Sequence, residues 1–481
     1  MTAALLQTRR GQRGLVALVV AGVVVYRYIL WHLYMRYIPL TGDEKYYHRG
    51  ASILARWWRG VAESETALER IVAKGWFMPG PIGHIVPLRR MTDNLELMRL
   101  WQGALDLILL AIVAVIIAKL FGRWIALGWF TFVGLMPDTA AASFSLWGEA
   151  HGSKVLMIAL LGLTAVVRRP TFGGREIAAS ALLGGCVAWA IYLRPPFLLE
   201  IGTLVVAMLL LTLGRRDRGR WVWPVVGAAL VPLVAVAMIL PWSKQVSDAS
   251  GGFVFTTNTI NVNFIHAFTD PSDLEAFTGG GVDFPDIERA LRARMDRTGE
   301  SYVEVLANVR SELMADVSIG DYLSDADREI GTYLDEDETF LRRYDLILTT
   351  DPEVSAKVRG ESKYSWLLFV DNLFWYPLAW VVVLAMVRPL PLGVTQGFLP
   401  IIAKIAVPAA MIQPWLSNAK FRHLGAILPF LVLVALVYVW GRRDLSEQNN
   451  DEYEPWAAKF GWFVQAVAAV MTVATVAVYL F

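Results

Sequence analysis

Long apolar runs separated by short polar loops dominate the chain. About 20 mostly apolar residues cross the hydrocarbon core of a bilayer as a helix, and by that measure the sequence predicts eleven membrane helices. They cover residues 14–38, 100–120, 123–136, 148–167, 177–193, 196–213, 221–241, 364–387, 395–415, 421–440 and 459–480. The predicted fold is therefore an all-α polytopic membrane protein.

Two longer polar stretches interrupt this pattern. The first, residues 41–99, contains an amphipathic stretch at 46–60 that predicts a helix lying in the headgroup plane, with one face formed by Ile53, Leu54, Trp57 and Trp58. A second amphipathic stretch at 63–74 is followed by the Gly- and Pro-rich residues 75–88, which predict an irregular return to the membrane. This loop is thus expected to lie on lipid.

The second polar stretch, residues 242–363, separates an N-terminal membrane part (1–241) from a C-terminal one (364–481). It contains 24 acidic and 12 basic residues. Apolar residues recur at helical spacing in 286–295 and 302–317, which predicts a small, mostly helical subdomain. The acidic run 335–338 is typical of a solvated face. We expect the subdomain to act as a lid or as an acceptor-recruiting module.

Basic residues in the short loops predict the orientation. With a cytoplasmic N-terminus, most of them fall on the inner side: Arg9, Arg10, Arg13, Lys119, Arg123, Arg168, Arg169, Arg175, Arg215, Arg216, Arg218, Arg220, Arg388, Arg442 and Arg443. Residues 41–99 and 242–363 are then both extracytoplasmic.

Composition excludes several classes of protein. Hydrophobic residues make up 56% of the chain and charged residues 18%, which argues against a soluble or a disordered protein. The net charge is +1 and the basic residues are scattered, so no nucleic-acid partner is expected. Motifs for nucleotide binding, zinc binding and serine hydrolysis are absent from the sequence.

The sequence TGDEKYY, residues 41–47, lies where the first predicted helix leaves the membrane. The adjacent carboxylates Asp43 and Glu44 are candidates for interfacial acid–base chemistry. A hydrated helix terminus is the alternative interpretation of this pair.

An ordered series of motifs carries a family resemblance. After Arg27 and TGDEKYY come Trp76, Pro79 and Pro81, and then RLWQGALDLILL, LFGR, SLWGEAHGSK, YLRPP, PWSKQ, GGFVFTTNTINVNF and KFRHLGAILPFL. This series resembles the GT-C integral-membrane glycosyltransferases, in particular the branch of protein O-mannosyltransferases and lipid A aminoarabinose transferases. The resemblance covers residues 14–265 and 364–440 and does not extend to the acidic segment after about residue 270.

The resemblance implies a hexosyl- or pentosyltransferase that takes its sugar from a polyprenyl-phosphate donor. It implies that Asp43, beside Glu44, removes the proton of an acceptor hydroxyl in an inverting displacement. A phosphate leaving group needs no general acid, so one carboxylate suffices. The acceptor is a lipid, a polysaccharide or a protein at the outer face of a bacterial plasma membrane, and membrane lipids are further partners.

Other residues of the motifs are candidates for binding. Arg194, Arg422, Lys420 and His423 could bind the donor phosphate, although snorkelling interfacial cations are the alternative. Glu149, Tyr46 and Tyr47 could contact the acceptor or organise the site, or Glu149 could cap its own helix. No cofactor is certain, and whether a divalent cation (Mg or Mn) is shared by Asp43, Glu44 and Glu149 is left open.

Charged residues inside the predicted helices need partners, because an unpaired charge in a bilayer is costly. Arg27 and Asp106 are predicted to form a structural pair, and Lys404 to face a partner or a cavity. Two functions other than a glycosyltransferase remain open at this point. One is a transporter or flippase of a lipid-linked saccharide, and the other is a non-catalytic membrane scaffold.

Overall fold

The computed structural model is helical throughout the part of the chain that it describes. It describes residues 9–61, 72, 78–167, 173–198, 201–202, 213, 222–334, 339–358, 365–388, 404, 427–440 and 454–480. The N-terminal membrane part contains α1 (Arg9–Leu33), α2 (Asp43–Trp58), α3 (Pro79–Met91), α4 (Leu95–Phe121), α5 (Arg123–Leu135), α6 (Pro137–Ala142), α7 (Glu149–Val167), α8 (Gly174–Leu193) and α9 (Val222–Ser250). A 3₁₀ turn, Met35–Tyr37, follows α1.

The remaining helices form the polar segment and the C-terminal part. The polar segment contains α10 (Thr259–Phe268), α11 (Pro271–Thr278), α12 (Phe284–Thr298), α13 (Tyr302–Leu313), α14 (Ile319–Leu334), α15 (Phe340–Thr350) and α16 (Pro352–Val358). The C-terminal part contains α17 (Ser365–Val387), α18 (Leu428–Trp440) and α19 (Pro455–Leu480).

Six helices of the described residues are long and apolar enough to cross a membrane. They are Arg10–Tyr37, Leu95–Phe121, Glu149–Val166, Gly174–Leu193, Val225–Ser250 and Trp366–Val387. Shorter apolar helices lie at Arg123–Leu135, Leu428–Trp440 and Lys459–Ala474. The predicted count of eleven is therefore not confirmed. Of the predicted helices, 196–213 lies mostly outside the described residues, and 395–415 lies outside them except for residue 404.

The first polar loop contains one helix that the sequence did not predict. Residues 79–91 form a regular helix, α3, because Pro79 occupies the first helical position, where a missing N–H costs nothing. The face of α2 that packs on the protein is made of the small residues Gly50, Ala51 and Ala55, while Trp57 and Trp58 are about half exposed. The stretch 63–74 lies outside the described residues apart from residue 72.

The polar segment forms helices where they were predicted. Helix α12 contains the first stretch with helical spacing, and α13 covers the second stretch as far as Leu313. A capping box between Ser301 and Glu304 begins α13. Residues of α10–α13 share an apolar core, including Val262, Ile287, Leu291 and Val305. The acidic run 335–338 lies outside the described residues.

The end of this segment is tied to the membrane part. Leu341 and Tyr344 of α15 are buried in a cluster with residues that follow α1 and precede α7. The Asp138 carboxylate accepts a hydrogen bond from the Leu341 amide at 3.1 Å, and the Asp138 amide donates to Asp371 Oδ1 at 2.9 Å. Burial raises the pKa of the Asp138 carboxyl to about 6.

Candidate active site

Asp43 and Glu44 begin helix α2, and their surroundings differ. The chain turns into α2 at Gly42, whose φ of 46° lies in the region that favours glycine. Asp43 is the first helical residue and is half-buried, whereas Glu44 is completely buried. Acidic side chains are preferred in this first turn because they face the positive end of the helix dipole.

The Glu44 carboxylate is held by a dense set of donors. Arg99 donates to both of its oxygens, through Nη1 and Nη2, at 3.1 Å each. The Leu146 amide donates to Oε1 at 2.8 Å and the Thr41 amide to Oε2 at 3.1 Å. These contacts leave Glu44 in a structural position, since its oxygens already accept bonds from three segments of the chain. The hydrated-terminus interpretation does not hold for Glu44.

Arg99 extends the same network. Its guanidinium also donates to the carbonyl oxygens of Phe144 and Pro39, each at 3.1 Å. The Glu44–Arg99 pair therefore fixes the start of α2, the first turn of α4 and the turn at residues 144–146 relative to one another. Sequence reasoning did not assign this role to Arg99, although it is the first residue of the RLWQG motif.

A second ion pair joins two other predicted residues. Arg194, directly after α8, places Nη1 at 2.7 Å from Oε1 of Glu149, the first residue of α7. Their side chains are only 11% and 9% exposed. Glu149 thus contacts the predicted phosphate-binding arginine rather than only capping its own helix.

Close backbone packing brings these motifs together. A methyl group on Gly148 would lie 2.5 Å from the Leu193 carbonyl oxygen, and one on Gly80 would lie 2.5 Å from the Tyr192 carbonyl oxygen. The end of α8 therefore touches both α3 and the turn before α7. Leu146, bonded to Glu44, and Glu149, bonded to Arg194, are three residues apart, so their Cα atoms lie within about 11 Å.

The other predicted site residues lie in different surroundings. Tyr46 is 44% exposed, and Tyr47 packs against two apolar clusters beside α2. Lys420, Arg422 and His423 lie outside the described residues. Lys404, predicted to have a partner, is buried and donates to the carbonyl oxygens of Met386 and Arg388 at 3.3 and 2.5 Å.

A buried polar cluster lies further along α4. Arg27 and Asp106 form the predicted ion pair, with Nη1 and Oδ2 2.6 Å apart. Lys154 is a third member that sequence reasoning missed, with Nζ 2.7 Å from Asp106 Oδ1. His151 donates from Nε2 to the Gln102 carbonyl at 3.0 Å. Two cations thus share one carboxylate.

His84 of α3 lies against this cluster, with its ring centroid 5.4 Å from that of His151. Burial, helped by the nearby His151, lowers the pKa of His84 to about 3, so its ring is neutral. Among the described residues, no group of three or more His, Cys, Asp or Glu side chains is arranged to hold a metal ion. Whether Asp43, Glu44 and Glu149 share a divalent cation stays an open prediction of the sequence.

No protein-family model matches the sequence, and no curated protein matches it. The solved structures that align with this chain include two oligosaccharyltransferases. One is the archaeal oligosaccharyltransferase AglB from Archaeoglobus fulgidus in complex with an inhibitory peptide and a dolichol-phosphate, with a TM-score of 0.46, 11% identity and coverage of 98% of this chain and 55% of that one. The other is an apo oligosaccharyltransferase from the same organism, with a TM-score of 0.48, 12% identity and coverage of 97% and 55%. The chain thus spans about half the length of these two structures.

Proposed function

We propose that the protein is a GT-C type glycosyltransferase that moves a sugar from a polyprenyl-phosphate donor to an acceptor hydroxyl at the extracytoplasmic face of the membrane. The ordered motifs of the sequence support this proposal. So does one observation on their geometry: the start of α2, the start of α7 and the end of α8 lie together at one end of the helical bundle. This arrangement supports the proposal that the carboxylate of Asp43 and the guanidinium of Arg194, from separate motifs, act on one substrate.

The proposed reaction is a single displacement. The acceptor oxygen attacks the anomeric carbon while the Asp43 carboxylate takes its proton, and the bond between that carbon and the phosphate oxygen breaks. The products are the glycosylated acceptor and polyprenyl phosphate, which leaves as an anion. The family resemblance assigns the base to Asp43, whereas Glu44 accepts hydrogen bonds from Arg99 and from backbone amides. Glu44 is then a positioning residue.

Arg194 is the proposed phosphate ligand. A guanidinium has five N–H donors in a fork that suits phosphate, so an ion pair with Glu149 does not exhaust it. Glu149 orients the guanidinium before the donor arrives. The proposed roles of Arg422, Lys420 and His423 at the same phosphate rest on the sequence alone, since these residues lie outside the described ones.

The direct test is release of polyprenyl phosphate from a radiolabelled polyprenyl-phosphate sugar by the purified protein. Asp43→Asn should lower turnover at least about 100-fold, the usual contribution of a general base, and leave donor binding unchanged. Asp93→Asn changes an exposed carboxylate of the same loop, with a side chain 83% exposed, and should be fully active. Substantial turnover by Asp43→Asn would refute the base. Transport of intact donor without release would instead favour a flippase.

A further inference from the structure

A groove of about 690 Å³ lies on the polar segment, between the loop 251–258 and helices α10 and α13. Leu198, four residues after Arg194, is one of the residues that line it. Its wall is mostly apolar and includes Phe253, Phe255, Ile260, Phe264, Leu306 and Met314. None of the predicted site residues lines it.

The loop that forms one wall is held in place. Ser243 Oγ donates to the Val254 carbonyl at 2.7 Å, and the Val254 amide donates to Ser247 Oγ at 2.8 Å. Trp242 Nε1 donates to the Thr256 carbonyl at 3.1 Å. Trp242, Ser243 and Ser247 all belong to α9, so the loop is fixed to the last turns of that helix. The groove is therefore preformed, which lowers the entropy cost of filling it.

The length of α9 indicates where the groove lies relative to the membrane. Its 29 residues extend about 44 Å at 1.5 Å per residue, whereas the hydrocarbon core of a bilayer is about 30 Å thick. The last turns of α9, from Trp242 onwards, carry the polar residues Ser243, Lys244 and Asp248, so we place the excess length, and with it these turns, in the headgroup region. A molecule anchored in the bilayer can reach the attached loop without leaving the membrane.

The exposed apolar side chains on the rim fit that location. Phe253 is 77% exposed and Ile260 is 49% exposed, on the same opening. Clustered exposed apolar side chains mark a binding surface for a protein or a lipid more often than a solvated one. At the level of the headgroups, the contact that removes them from water most directly is an acyl chain.

The charge of the groove lining indicates which kind of headgroup the acyl chain carries. The segment 242–363 has twice as many acidic as basic residues, yet among the described residues that line the groove Arg310 is the only charged one. Its guanidinium lies 4.3 Å from the centre of the Phe264 ring and donates to Asn261 Oδ1 at 3.1 Å. The described lining of the groove therefore carries one positive charge and no acidic residue, although the segment as a whole is acidic. This charge favours an anionic ligand.

We propose that the groove binds the acceptor, and that this acceptor is an anionic lipid whose acyl chain lies along the apolar wall and whose phosphate lies at Arg310. That this lipid is the acceptor rests on the proposed function, whereas its binding in the groove does not. Because Leu198 lines the groove four residues after Arg194, the bound lipid would lie next to the end of α8, where the proposed donor phosphate is held.

The test uses the full-length protein in phosphatidylcholine nanodiscs with phosphatidic acid that carries a diazirine in its acyl chain. Photolabelled peptides should map to residues 253–264 and 303–314. Arg310→Gln should weaken labelling about tenfold, the effect of losing one charge-assisted hydrogen bond. Phe253→Asp should abolish labelling.

Two control variants lie in the same segment. Arg297→Gln removes an exposed cation of α12, and Ile319→Asp changes an apolar side chain that is 81% exposed on α14. Both should be labelled like the wild type. The proposal is overturned if diazirine-labelled phosphatidylcholine labels the groove equally well, or if Arg310→Gln has no effect. It is also overturned if polyprenyl phosphate or a soluble saccharide displaces the phosphatidic acid more strongly than unlabelled phosphatidic acid does.

The two proposals fail in distinguishable ways. A protein that is labelled in the groove but never releases polyprenyl phosphate refutes the glycosyltransferase and leaves an anionic-lipid site. A protein that releases polyprenyl phosphate but is not labelled refutes the groove alone. Asp43→Asn should be labelled as strongly as the wild type, because Asp43 does not line the groove.

Discussion

Glu44→Gln tests whether the carboxylate pair has the divided roles that we assign to it. The substitution keeps the shape of the side chain and one carbonyl oxygen, but it removes the charge that faces Arg99. Arg99 is 1% exposed and Glu44 is 0% exposed, so water cannot replace the lost partner. An uncompensated buried charge is then left at the junction of α2, α4 and the turn at residues 144–146.

The expected magnitude follows from the burial. Breaking a buried ion pair by removing one partner costs about 3–5 kcal/mol of the free energy of unfolding. Glu44→Ala should lie at the upper end of that range, because the buried Leu146 amide also loses its acceptor. A matched control is Asp248→Asn, which breaks an exposed i,i+4 pair with Lys244. That change should cost no more than about 0.5 kcal/mol.

The assay is denaturant-induced unfolding in mixed micelles, followed by tryptophan fluorescence, with release of polyprenyl phosphate measured on the same preparations. A double-mutant cycle with Arg99→Met isolates the pair, and Glu44→Gln/Arg99→Met should recover part of the loss because no buried charge remains. If Glu44→Gln unfolds within about 1 kcal/mol of the wild type, the Glu44–Arg99 pair does not organise this end of the bundle. If it stays stable but loses turnover as completely as Asp43→Asn, Glu44 acts in the chemistry directly.

Three further predictions concern other contacts. Burial raises the pKa of Asp138 in the folded protein to about 6, from an ordinary value near 3.8. The free energy of unfolding should therefore fall by up to about 3 kcal/mol as the pH rises from about 4 to 6. In thermal unfolding scans at different pH values, Asp138→Asn should remove that dependence. Gly148→Ala should cost about 1–3 kcal/mol by pushing α7 away from the Leu193 carbonyl, whereas Gly331→Ala, which meets open space in α14, should not destabilise the fold. Arg194→Lys should weaken binding of polyprenyl phosphate about tenfold despite keeping the charge, because an ammonium cannot bind bidentately; unchanged affinity in a titration would place the phosphate elsewhere.

Physical rules that act within one stretch of sequence predicted six of the eleven expected membrane helices as long apolar helices. Runs of apolar residues gave the six long helices, because a bilayer accepts only backbones that satisfy their own hydrogen bonds. The Arg27–Asp106 pair was predictable for a similar reason, since each charge in an apolar helix needs a partner and few candidates exist.

Contacts between distant segments were harder to predict. Arg99 lies at the polar start of a long helix, where an arginine ordinarily faces water, and its partner Glu44 is 55 residues away. The α3 helix was missed because Pro79 and Pro81 were interpreted as breakers, although prolines are tolerated in the first turn of a helix. The packing face of α2 was missed because Gly50, Ala51 and Ala55 have little hydrophobic signal, yet they allow close approach to α3.

The two ion pairs also bear on how a charged donor could be accepted at low energetic cost. Glu149 keeps Arg194 paired in the substrate-free protein, so no isolated buried cation has to be maintained. An incoming phosphate would share or exchange that partner, and exchanging one anion for another at a guanidinium avoids the cost of first burying an unpaired charge. The exchange would free Glu149 at the start of α7, three residues from the Leu146 amide that holds Glu44. If the proposed function holds, binding of the phosphate would therefore change the contacts at the start of α2, where Asp43 is proposed to meet the acceptor.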